Sequence, residues 1–140
     1  KKKEVHDADL EAIVRDQLHT VPQVYAMDYV QVLSGSNVVP TATVGLKRGE
    51  DLIEEAANGD GPVDAVYNAI ERITHVKVEL TDYAIHAVTG GRDAMGQVVV
   101  RIDHEGRSFV GVGSSTDVIE ASALALLEAV NKVLNAEQTG

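Results

Sequence analysis

Residues 57–73 read ANGDGPVDAVYNAIERI, two glycines and a proline directly ahead of an amphipathic run. Val63, Val66, Ile70 and Ile73 recur at helical spacing and mark one apolar face. Pro62 suits the first helical position, because its missing N–H is one the helix leaves unpaired and its fixed φ fits the first turn. Gly59 and Gly61 are not explained by that. Glycines there let the chain turn tightly and keep side chains off the helix N-terminus, so its free N–H groups and partial positive charge can face an anion. The same residues also read as a plain strand-to-helix turn.

Upstream of the helix, residues 24–33 are rich in β-branched and aromatic side chains. Residues 38–46, which include TATVGL, alternate in the same way beyond the turn at residues 34–37, and the two form a hairpin. Residues 52–57 are ambiguous: EEAA favours helix, but flanking turns at Gly49 and Gly59 allow a third strand. Downstream the order repeats. A long strand is predicted over 76–88, with Val76, Val78 and Leu80 on one face. Two more follow at 97–102 and 108–113, joined by DHEG at 103–106 with glycine where a positive φ is needed. A helix over 117–134 then turns Ile119, Ala123, Leu126, Leu127, Val130 and Leu134 inward. Tyr29 and Tyr83 are 54 positions apart, as are Gly59 and Gly113. The fold class is therefore α+β: two pseudo-symmetric βββα units, about 23–74 and 75–135, with antiparallel sheets and helices packed on one side. Residues 136–140 are expected as a disordered tail. Near the start, Asp7 can cap a short helix carrying Leu10, Ile13, Val14 and Gln17 on one side.

Composition narrows the function classes. A chain of 140 residues, 44% hydrophobic, is the size of one compact domain, and no apolar run is long enough for a membrane span. With 22 acidic against 12 basic residues the formal charge is −10, which repels nucleic acid over most of the surface. There are no cysteines, so neither a disulfide framework nor a thiolate metal site is possible. The N-terminal KKKEVHDADL lacks the apolar core of a secretory signal, which fits a cytoplasmic setting, and its start without Met reads as part of a longer chain.

If a pseudo-two-fold axis relates the halves, the turn GDGP at 59–62 and the turn GSST at 113–116 become equivalent and converge. Two helix N-termini in one crevice would bind a small carboxylate, with the hydroxyls of Ser114, Ser115 and Thr116 as further donors. Adjacent apolar residues would suit a short aliphatic tail, which together describes an amino-acid pocket.

GDGPVDAVYNAI, LTDYAIHAVTGGRDAMGQVVVRI and GVGSSTDVIEASALALLEAVN, in that order, resemble the C-terminal regulatory domain of the 2-isopropylmalate synthases and of the closely similar (R)-citramalate synthases. The resemblance covers residues 25–134, and KKKEVHDADLEAIV resembles the end of the linker subdomain before it, so that residues 1–22 are assigned to that linker and 23–140 to the regulatory domain. It implies a homodimer that binds the pathway end product, leucine in one enzyme and isoleucine in the other. Catalysis in this family belongs to an N-terminal TIM barrel that holds a divalent metal through an HxH motif and condenses acetyl-CoA with a 2-oxo acid. This sequence has no HxH, so the fragment is expected to have no catalytic residues, no metal and no cofactor of its own. Carried over by position, the resemblance implies an effector site at Gly59, Asp60, Gly61, Val63, Leu80, Tyr83, Ala87, Ala94, Ser114 and Thr116. Helix-terminal N–H groups would bind the carboxylate, Asp60 or Asp82 would accept from the ammonium, and Val63, Leu80, Tyr83 and Ala87 would enclose the side chain. Ala87 and Ala94 would matter by being small.

Other polar residues have simpler readings. His6, His75, His86 and His104 are scattered, with no i, i+4 pair bracketing a carboxylate, and read as surface or packing residues. Asp117 and Glu120 have capping-box spacing, which accounts for both carboxylates without chemistry. Two further readings compete with an amino-acid sensor: a free-standing enzyme using the acids and histidines, and a ligand-free dimerisation domain in which the glycine turns are only turns.

Overall fold

A computed structural model describes residues 21–88 and 95–139. The short N-terminal helix, the bend at Gly90 and Gly91, and Ala94 lie outside the described residues. The described residues divide into two units, one over Gln23–Lys77 and one from Val78 onward. Each has the predicted βββα order.

In the first unit, β1 (Ala26–Gly35), β2 (Val38–Arg48) and β3 (Asp51–Asn58) form an antiparallel sheet with β2 in the centre, followed by α1 (Pro62–Thr74). The EEAA segment is strand, because its pairing with β2 outweighs its modest helix propensity: Val44 lies opposite Glu55 and Ala42 opposite Ala57. Ala42, Val44 and Leu46 of β2 are fully buried together with Ala65, Val66, Ala69 and Ile70 of α1. The helix buries small alanines as well as the expected Val66, Ile70 and Ile73, and leaves Val63 half-buried at its first turn. It ends at His75, which adopts a left-handed conformation (φ 59°) and returns its N–H to Glu71 O.

That cap shifts the next element. The strand predicted over 76–88 begins at Glu79, since residues 75–78 leave the helix in an irregular path. In the second unit β4 (Glu79–Val88), β5 (Met95–His104) and β6 (Arg107–Ser115) form the second antiparallel sheet, with β5 central, followed by α2 (Val118–Thr139). Glu105 (φ 51°) and Gly106 (φ 79°) make the tight β5–β6 turn that DHEG predicted. Residues 136–139, expected as tail, continue α2.

The repeat is real in topology, but its spacing is not uniform. A bulge at Asp28 in β1 corresponds to one at Thr81 in β4, 53 positions later, whereas Leu46 and Ile53 correspond to Ile102 and Phe109, and Pro62 to Val118, each 56 later. The longer β4–β5 connection absorbs the difference. Gly59 and Gly113 are therefore not equivalent; Gly59 corresponds to Ser115. Gly113 lies within β6, where a Cβ would come within 2.3 Å of Ala121 O, and Gly111 is similarly tight against Ala125. These glycines let the alanine face of α2 rest on the strand backbone.

Candidate functional site

Gly61 is the N-cap of α1, with extended backbone (φ −156°) and no side-chain cap hydrogen bond. The N–H groups of Val63 and Asp64 have no intrahelical acceptor. A Cβ on Gly61 would meet nothing within 4 Å, so a side chain there would be tolerated sterically. Asp64 bends back to accept the Asp60 N–H at 2.8 Å, which fixes the turn while leaving the exposed Asp60 carboxylate beside it. Gly59 has a different task. Its N–H donates to Pro40 O at 3.0 Å, and a Cβ there would lie 2.3 Å from the Ala65 nitrogen. Its glycine identity is set by helix-to-strand packing.

The second turn is built differently from the expected GSST loop. Gly113, Ser114 and Ser115 belong to β6, and only Thr116 and Asp117 separate strand from helix. Asp117 Oδ1 accepts the Ile119 N–H at 2.9 Å, so the N-terminus of α2 already carries a carboxylate. The predicted D-x-x-E pair closes through a relay. The Asp117 N–H donates to Ser115 Oγ at 3.1 Å, and Ser115 donates to Glu120 Oε1 at 2.5 Å. A ligand carboxylate would meet a like charge here, and the Ser115 hydroxyl is committed. The expectation of two equivalent N-termini is thus corrected: both have acidic side chains nearby, Asp60 and Asp64 at α1 and Asp117 and Glu120 at α2, but only α2 has a side chain capping its N–H groups.

On β4, Leu80, Tyr83 and Ala87 have a spacing that an unbroken strand would divide between faces. The bulge at Thr81 reverses that. Leu80 lies opposite Ile102, Tyr83 opposite Val100, Ile85 opposite Val98 and Ala87 opposite Gly96, so all four share the face that α2 covers. Because α2 packs on β6 and β5, this β4 row stays open: Leu80 is 41% and Ile85 56% exposed. Tyr83 reaches α2. Its hydroxyl lies 2.5 Å from Ser122 Oγ, and Ser122 in turn donates to Val118 O, which makes Tyr83 the donor of the pair. Asp82 and Ser114 are not brought into this row. Asp82 lies opposite Arg101, 3.9 Å from its Nε, and Ser114 opposite Gln97, both on the other face of the sheet. Thr116 is exposed beyond the strand end. The bulge and the Ser122 partner are the parts that sequence reasoning missed. A bulge shifts the alternation by one residue, and strict period-2 counting along β4 ignores such a shift; Ser122 reads as a neutral helix residue.

A cleft of about 800 Å³ in the first unit runs along β3 and the C-terminal half of α1. Its polar lining covers a strand edge: Arg72 donates to Ala56 O at 2.8 Å and Asn68 to Asn58 O at 2.9 Å. None of the predicted effector residues lines it.

Comparison with known proteins finds the LeuA allosteric (dimerisation) domain over residues 4–134. Among curated proteins, the chain is 50% identical over 135 residues to 2-isopropylmalate synthase of Pelotomaculum thermopropionicum, covering 96% of this chain and 27% of that one. It is also 50% identical to 2-isopropylmalate synthase of Carboxydothermus hydrogenoformans over 96% of this chain and 26% of the relative, and 47% identical to that of Crocosphaera subtropica over 99% and 26%. The chain thus spans about a quarter of the length of these relatives.

Proposed function

Because the chain belongs to the LeuA allosteric (dimerisation) domain family, we propose that it is the leucine-sensing regulatory domain of a 2-isopropylmalate synthase. In this reading the domain pairs with a second copy, and bound leucine inhibits condensation of acetyl-CoA with 2-oxoisovalerate in a separate catalytic barrel. The fragment itself carries no catalytic residues, and the divalent metal belongs to the barrel.

The observation that carries the reading is the bare N-terminus of α1. Pro62 and Gly61 leave the Val63 and Asp64 N–H groups with no side chain capping them, and such a terminus favours a carboxylate. Gly59 sets the turn, Asp60 supplies an acceptor for the ammonium, and Val63 adds an apolar surface. Leu80, Tyr83, Ala87, Ala94 and Thr116 complete the proposed set as the resemblance implies, the apolar ones among them suiting a branched aliphatic side chain. Since Tyr83 donates to Ser122, its oxygen keeps a lone pair with which to accept a hydrogen bond. Ser114, facing away from the β4 row, contributes least.

A ligand acts at a distance only by preferring one arrangement of the domain or by rigidifying it. Calorimetry with leucine and with isoleucine tests the proposal. Saturable heat with leucine supports it, heat with isoleucine alone turns the assignment to (R)-citramalate synthase, and no heat with either leaves a dimerisation domain without an effector. Deleting these residues from the longer enzyme is expected to abolish end-product inhibition while sparing the condensation chemistry.

A further inference from the structure

We propose that His104, Glu105 and Glu137 form a binding site for a divalent transition-metal ion of the zinc type. His104 ends β5, Glu105 opens the β5–β6 turn, and Glu137 lies in the last turn of α2, 33 residues further along the chain. His104 Nε2 is 3.0 Å from Glu137 Oε2 and 3.8 Å from Glu105 Oε2, and one ligand atom from each residue falls within 4.8 Å of the others. In a tetrahedral zinc site with bonds of about 2.0–2.1 Å, neighbouring ligand atoms sit roughly 3.3 Å apart. The two distances measured from His104 bracket that value. One imidazole and two carboxylates, with water in the fourth position, is a donor set that zinc accepts, and the nitrogen ligand separates this trio from a patch of surface acids.

The three side chains differ in a way that suits capture. His104 is held, its side chain only 14% exposed, whereas Glu137 at 50% and Glu105 at 79% are exposed enough to swing the roughly 1 Å or more that ligation needs. The ion would tie the β5–β6 turn to the end of α2, so its binding energy would add to the stability of the folded unit. The same contacts also describe a protonated imidazole between two carboxylates, and the response to metal separates the two.

The test is thermal melting of the 140-residue chain, stripped of metal by chelator, with ZnCl₂ added, and visible absorption with Co²⁺ as a probe of tetrahedral coordination. A saturable rise in Tm with one ion per chain is expected, reversed by chelator. Losing an outer-shell partner alone weakens metal binding by about 10–100-fold, so Glu137→Gln and His104→Asn should each weaken it at least tenfold, while His75→Asn leaves it unchanged. Glu137→Gln alters an exposed helix end, so its fold is expected to persist and its metal response to be readable. No rise in Tm with zinc, or an equal rise in Glu137→Gln and His104→Asn, would overturn the proposal.

Discussion

Arg72 and Glu128 occupy equivalent positions in the two units, 56 residues apart, and each reaches from its helix to the backbone of the neighbouring edge strand. Arg72 Nη1 donates to Ala56 O at 2.8 Å; Glu128 Oε1 accepts from the Val112 N–H at 2.7 Å. Ala56 and Val112 are also 56 apart. Opposite charges thus do one task at one site of the repeat, because an edge strand exposes both donors and acceptors and either can be covered. Glu128 is half-buried, and Lys132 beside it donates to Val110 O at 2.7 Å, so β6 has two such covers.

Truncation should expose the difference in burial between these equivalents. Arg72→Ala frees a carbonyl that water can reach, and the expected loss is below about 1 kcal/mol. Glu128→Ala strands the part-buried Val112 N–H and removes the charge beside Lys132, at an expected cost of about 1–3 kcal/mol. Urea unfolding of the two variants side by side checks the order; equal losses would show that Glu128 covers nothing that water cannot.

The glycines divide sharply by what a methyl group would touch. Gly59→Ala puts a Cβ 2.3 Å from the Ala65 nitrogen, and Gly113→Ala one 2.3 Å from Ala121 O, in each case against backbone that cannot swing aside. Each should lower stability by about 1–3 kcal/mol as the helix is pushed from its sheet. Gly61→Ala meets open space at an extended φ and should change the melting temperature little.

Lys132 predicts a pH dependence. Burial lowers its pKa, against a smaller opposing effect of Glu128. An unfolded lysine titrates near 10.4, so between its lowered folded value and that pH the unfolded chain binds more protons, and stability from this residue rises with pH. The gain is complete above the unfolded value and is lost as pH falls through the folded one. Tyr29 works the opposite way: its hydrogen bond to Glu54 raises its pKa, so its contribution holds below about pH 10 and fades above it. Comparing the parent with Lys132→Met isolates the lysine. The urea midpoint of the parent should gain on that of the variant as pH is raised from 8 to 10.4; parallel curves would contradict a lowered pKa.

What the sequence made legible follows from what periodicity can carry. The strand and helix order and the DHEG turn are local patterns, and they hold; the shared face expected of Val76, Val78 and Leu80 does not, because Val76 and Val78 precede β4. EEAA was decided by pairing with β2, information that lies outside the segment. Counting a fixed 54-residue repeat paired Gly59 with Gly113, because Tyr29 and Tyr83 match at that spacing by coincidence: aligned on their bulges, Tyr29 corresponds to Asp82. The same coincidence made GSST look like a second anion-binding turn. Of the candidate site, the α1 turn was readable from Gly and Pro chemistry. The common face of Leu80 and Tyr83 was not, since it depends on one bulged residue. His104 read as an isolated histidine because its neighbour Glu137 lies in residues taken for a tail.

Gly61→Asp separates a ligand site from a turn most directly. The backbone at Gly61 is extended, no atom lies within 4 Å of its would-be Cβ, and the N-cap has no side-chain hydrogen bond to lose. Aspartate is a favoured N-cap, and a negative charge at a helix N-terminus stabilises by roughly 0.3–1 kcal/mol. The variant should therefore fold as well as the parent or better. Its carboxylate, however, would take the Val63 or Asp64 N–H that the proposed leucine needs, and would repel the leucine carboxylate as well. The expected result is an unchanged or raised melting temperature with leucine affinity lowered by at least tenfold. If the glycines serve only the turn, the melting temperature still rises but leucine affinity is untouched, or was never present. Melting and calorimetry on one preparation therefore distinguish the cases, and undiminished leucine binding in well-folded Gly61→Asp would remove the α1 N-terminus from the effector site.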